Sequence, residues 1–100
     1  MAYMLNDSKA LKDFLEIPGL VIVDFFATWC PPCKALAPIL EQVEAVPVAK
    51  INTDDNTDAA SEYRISALPT LVFFKNGQEV HRMLGLQSKA ALDQKIQELS

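Results

Sequence analysis

The stretch Leu20-Val21-Ile22-Val23-Asp24-Phe25-Phe26 constrains this chain most, because it is β-prone and apolar at all but one position. A strand with one wet face alternates apolar and polar residues. A continuous run reads instead as a central strand buried on both faces, which needs cover from both sides. Pro18-Gly19 marks a turn before it. After Cys30, residues Leu36, Ile39, Leu40 and Val43 recur at i, i+3, i+4 and i+7, the face of a helix. Pro38 inside that helix should kink it, a feature costing about 3 kcal/mol in an unadapted helix.

The remaining elements follow in order. Asn6-Asp7-Ser8 can cap a short helix whose apolar stripe is Leu11, Phe14 and Leu15. Residues 48–51 read as a strand and 55–63 as a short, polar helix. Thr70–Lys75 is a strand, and Asn76-Gly77 is a hairpin signal leading into Gln78–Leu84. Ser88 caps a last helix with Leu92, Ile96 and Leu99 on one face. The order β-α-β-α-β-α-β-β-α predicts an α/β fold with a mixed sheet flanked by helices on both faces. Its parallel strands come first, and the hairpin closes one edge.

One hundred residues leave room for one core, so residues 1–100 are expected to form one domain. Half the residues are apolar and 22% are charged, which supplies a real core and excludes a disordered chain. The net charge is −4 and the nine Lys and Arg residues are scattered. No basic stripe can neutralise a run of phosphates, so nucleic acid is not an expected partner. A polybasic membrane anchor is missing for the same reason. The apolar runs at 20–23 and 70–74 are too short to span a bilayer. The start, Met-Ala-Tyr-Met-Leu-Asn-Asp, lacks a cationic segment followed by an apolar one, so the expected location is the cytoplasm.

The two cysteines are Cys30 and Cys33. Closing a loop of about 4 residues contributes roughly 2 kcal/mol at most in the loop-entropy model, so a structural staple is a poor explanation. At a helix start, residues i and i+3 face the same way, with Cβ atoms about 5–6 Å apart. Cys30 is then expected as the exposed partner at the helix N-terminus, where unpaired N–H groups and the dipole favour a thiolate. Cys33, one turn in, is expected to be covered. That arrangement suits thiol–disulfide exchange, in which Cys30 attacks a substrate disulfide and Cys33 resolves the mixed disulfide. A zinc site is the competing reading, but it needs about four ligands, and beyond the thiols there is only His81 at no recognised spacing. Asp24 lies in the middle of the apolar run, where desolvation should raise its pKa. A strand-edge aspartate hydrogen-bonded to backbone is the alternative there.

Several motifs fall in one order: Val23-Asp24-Phe25 before Ala27-x-Trp29-Cys30, Cys33-Lys34 with Ala37-Pro38, Lys50, Leu68-Pro69-Thr70, Lys75-Asn76-Gly77, and Gly85. In that order the chain resembles the thioredoxin family along almost its whole length, with a Cys-Pro-Pro-Cys variant of the active-site motif. The resemblance implies a thioredoxin fold and protein-disulfide reductase activity with catalytic residues Cys30, Cys33, Asp24 and Lys50. Cys30 and Cys33 would form the redox-active disulfide, and Asp24 would deprotonate Cys33. It also implies a cis peptide bond before Pro69 and a substrate-binding rim of Trp29, Pro31, Ala67, Leu68, Pro69 and Gly85. Pro38 matches the family's helix-kinking proline. No cofactor or metal is implied. Electrons would come from a thioredoxin reductase-like partner, the substrates would be disulfide-containing proteins, and the chain would be a monomer.

The sequence also departs from the family. Pro31 stands where Gly is usual, Phe26 where Trp is frequent, and the 41–48 segment is a few residues short, so the second helix should end early. Two prolines remove two N–H donors from the helix start and stiffen it, which favours the bridged form and therefore a reductant. Pro32 also biases Pro31 away from helical angles. A non-catalytic binding subunit and a disulfide oxidase or isomerase remain the alternatives.

Overall fold

The computed structural model describes residues 2–100. The elements are β1 (Ala2–Leu5), α1 (Ser8–Leu15), β2 (Leu20–Phe26), α2 (Pro31–Glu41), β3 (Val48–Asn52), α3 (Thr57–Glu62), β4 (Thr70–Lys75), β5 (Gln78–Leu84) and α4 (Lys89–Leu99). They form one five-stranded sheet in the order β1-β3-β2-β4-β5. β3 pairs in parallel with β1 and β2. β4 runs antiparallel to both β2 and β5.

β2 is central and every one of its residues is buried, as its unbroken apolar pattern requires. Strand alternation divides its side chains between two cores. Val21, Val23 and Phe25 pack with Leu11, Phe14 and Leu15 of α1 and Ala59 of α3. Leu20 and Ile22 pack with Leu36 and Leu40 of α2 and Leu92 and Ile96 of α4. By the same alternation Asp24 and Phe26 belong to the α2 and α4 side of the sheet.

Local signals act where expected. The Asp7 carboxylate accepts from the Ala10 N–H at 2.8 Å, and the Ser88 hydroxyl accepts from the Ala91 N–H at 3.1 Å. Asn76 and Gly77 have φ of 52° and 84°, the left-handed pair a tight hairpin needs. Two boundaries refine the expectations. α2 ends at Glu41, early as the short 41–48 segment predicts, so Val43 lies beyond the helix, yet it stays in the same core with its N–H on the Leu40 carbonyl. The third helix covers Thr57–Glu62, inside the expected 55–63, and Arg64 at φ 54° turns the chain away from it.

Candidate active site

The central strand β2 ends at Phe26, and the chain passes through Ala27, Thr28 and Trp29 to Cys30, the N-cap of α2. Cys30 keeps an extended backbone, with φ −91° and ψ 111°, and Pro31 and Pro32 occupy the first two helical positions. Proline fits there because those N–H groups have no intrahelical acceptor, and its fixed φ already suits a helix. The bias that Pro32 exerts on Pro31 does not prevent the helix from starting at Pro31. The first N–H available to the cap is then that of Cys33, and it donates to the Cys30 Sγ at 3.3 Å. Cys30 and Cys33 are joined as a disulfide, with Cα atoms 5.2 Å apart.

The expected contrast in exposure between the two cysteines is not found. Cys30 is 3% exposed and Cys33 4%. In the bridged form each sulfur covers the other, and Phe26, Ala27 and Leu68 close around both. What separates them is direction. Cys33 lines a cleft of about 300 Å³ together with Phe26, Ala27, Thr28, Lys34, Ala37 and Lys50. Cys30 caps the helix outside that cleft.

Asp24 is fully buried, and among the described residues neither of its carboxylate oxygens has a hydrogen-bond partner. The alternative of a backbone-bonded aspartate at a strand edge is therefore wrong. Burial pushes its pKa up to about 7, and the positive charge of Lys50 opposes that rise. Lys50 is directly across the parallel register from Asp24. Its ammonium lies over the Phe26 ring, 4.7 Å from the centroid.

The remaining rim comes from distant parts of the chain. Leu68-Pro69 is a cis peptide bond, and Leu68 packs against the cysteines. The Thr70 hydroxyl donates to the Ala67 carbonyl at 2.6 Å, and the Gly85 N–H donates to the Pro69 carbonyl at 2.8 Å, which brings Gly85 to the cis proline. Gly85 has φ 82°. Pro31 is exposed, and so is Trp29, whose indole N–H donates to the Asp54 carboxylate at 2.8 Å. Two features escaped the sequence reading. One is Asp54, held in an Asx-type turn by its own N–H on the Asn52 side chain. The other is the pair of exposed leucines, Leu84 and Leu86, flanking Gly85. An Asn-x-Asp after a strand was the only visible sign of the first. Among the described residues no cluster of three or more His, Cys, Asp or Glu side chains is placed to hold a metal ion.

A mixed sheet carrying a Cys-x-x-Cys pair at the mouth of its second helix defines a thiol–disulfide oxidoreductase of thioredoxin fold. The thioredoxin family model matches residues 4–98. A thioredoxin-like protein of Synechocystis is 53% identical over 98 residues, covering 89% of this chain and 93% of the relative. A thioredoxin of Mycobacterium tuberculosis is 41% identical over 101 residues, covering 96% of this chain and 84% of the relative. The solved structure of a mutant thioredoxin from Halobacterium salinarum superposes with a TM-score of 0.92 at 35% identity, covering 98% of this chain and 89% of that one. The chain belongs to the thioredoxin family. It is a protein-disulfide oxidoreductase that works by dithiol–disulfide exchange.

Proposed function

We propose that the chain reduces protein disulfides with Cys30 as nucleophile and Cys33 as resolving thiol, working as a monomeric single domain over residues 1–100. The observation that carries this assignment is the position of Cys30 as helix cap, with the Cys33 N–H already on its sulfur. In the reduced chain, that donor and the helix N-terminus favour a Cys30 thiolate. The thiolate attacks one sulfur of a substrate disulfide, forming a mixed disulfide and expelling the first substrate thiolate. Asp24, ionised, takes the Cys33 proton. The Cys33 thiolate attacks the Cys30 Sγ, which forms the intramolecular bridge and releases the second substrate thiolate. Two electrons have passed to the substrate, and a dithiol of a thioredoxin reductase-like partner restores them. No bound cofactor enters these steps.

A substrate segment would lie extended along Ala67, Leu68 and Pro69 in a form of strand addition, between Trp29 and Pro31 on one side and Gly85 on the other. The cytoplasm suits this chemistry, since a reducing compartment keeps the pair supplied as thiols. The test is a trap. Cys33→Ser, mixed with a disulfide-bonded protein, is expected to accumulate a covalent adduct through Cys30 that excess dithiol releases, and Cys30→Ser is expected to accumulate none. Equal trapping by both variants, or by neither, would overturn the assignment.

A further inference from the structure

Lys50 and Asp24 are cross-strand neighbours on β3 and β2, in parallel register on one face of the sheet. A lysine has a flexible four-carbon stem. Beside a fully buried carboxylate with no hydrogen-bond partner, an ion pair is the contact to expect. It does not form: both Asp24 oxygens stay unpartnered while the ammonium rests 4.7 Å from the centre of the Phe26 ring. Phe26 is two residues beyond Asp24 on the same strand face, so the ring offers the ammonium a second seat within its reach. The seat is also wetter. Phe26 and Lys50 together line both the cleft that reaches Cys33 and a second one of about 320 Å³, bounded by Met4, Leu5, Asn6, Thr28, Asn52, Asp55 and Asn56. There the ammonium keeps partial hydration and gains the attraction of the ring face, whereas at Asp24 it would lose its water.

We propose that Phe26 is a positioning residue whose ring holds the Lys50 ammonium off the Asp24 carboxylate, so that the carboxylate remains a usable proton acceptor for Cys33. The proposal rests on the reading of Asp24 given above and goes beyond it by naming what sets its basicity. A closed ion pair would stabilise the ionised form and leave a weak base. Held over the ring, Lys50 only partly offsets the effect of burial on Asp24. Few other charges bear on the pair. Lys34 of α2 shares the first cleft with Lys50, Asp55 faces it from the second, and Asp24 has only Leu71 opposite it on β4.

The test is the titration of the Asp24 carboxyl, followed by NMR of isotope-labelled aspartate in the disulfide form of the full chain, where no thiol titrates. Phe26→Leu and Phe26→Met remove the ring face and keep apolar bulk, Phe26→Tyr keeps the face, and Lys34 and Asp55 stay native throughout. Loss of the face is expected to lower the Asp24 midpoint by roughly half a pH unit, and Phe26→Tyr to leave it in place. In a Lys50→Met background the leucine and methionine variants are expected to shift nothing further. Equal shifts with and without Lys50 would mean that the ring only excludes water, and would overturn the proposal. So would no shift in either variant. If one substitution unfolds the chain, the other still decides. Failure of the reading beneath it is seen separately, as native turnover of Asp24→Asn.

Discussion

Asp24 is the residue whose presence works against the fold. A carboxyl that titrates near 4 in the unfolded chain is held at about 7 in the folded one, chiefly by burial. Between those values the folded state binds more protons than the unfolded state. Asp24's own contribution to stability is therefore most favourable below about pH 4 and drains away as the pH rises through about 7. The shift corresponds to at most about 4 kcal/mol across that window. Denaturant unfolding of the disulfide form, followed from about pH 4 to pH 8, should show wild type losing stability relative to Asp24→Asn as pH rises. Parallel curves would mean that Asp24 is not desolvated as described. Under the proposed role the cost is retained because a base is needed there, in line with the gathering of perturbed acids at functional sites. Asp24 stood out in the sequence because one polar residue interrupts an apolar run. The seat of Lys50 did not, since choosing between a carboxylate and a ring depends on side-chain reach and hydration that spacing does not encode.

At the level of elements, the start of α2 holds the chemistry. Pro31 and Pro32 provide no N–H, so among the described residues the Cys30 sulfur accepts from Cys33 alone. Pro31→Gly returns one donor and loosens the turn. Both changes favour the reduced thiolate over the bridge, so the measured potential against glutathione should rise, by roughly 10–30 mV if one hydrogen bond is gained. An unchanged or lower potential would remove the prolines from the account. Most elements were legible because each carries a local signal: the run of β2, the stripe of α2, the caps Asp7 and Ser88, and the Asn76-Gly77 turn. β1 was less so. Its Tyr3 and Met4 are exposed, and only parallel pairing with β3 makes it a strand. The burial of Cys30 escaped for a similar reason, because Leu68, which helps to cover it, belongs to a segment far along the chain.

Across the whole molecule, β2 lies between a parallel and an antiparallel neighbour, and the site forms where it hands over to α2. Lys50 arrives from β3, Leu68 and the cis Pro69 from the approach to β4, and Gly85 from the end of β5 through its bond to Pro69. These residues share no sequence window, so the family resemblance named them where periodicity was silent. Helices pack on both faces of the sheet behind them. The most direct measurement of the central claim is the rate at which a small dithiol reduces a disulfide-bonded test protein, with and without this chain in substoichiometric amount. The chain should accelerate the reduction over many turnovers, and Cys30→Ser should abolish the acceleration. A rate no faster than dithiol alone, or one that survives the loss of Cys30, would contradict it.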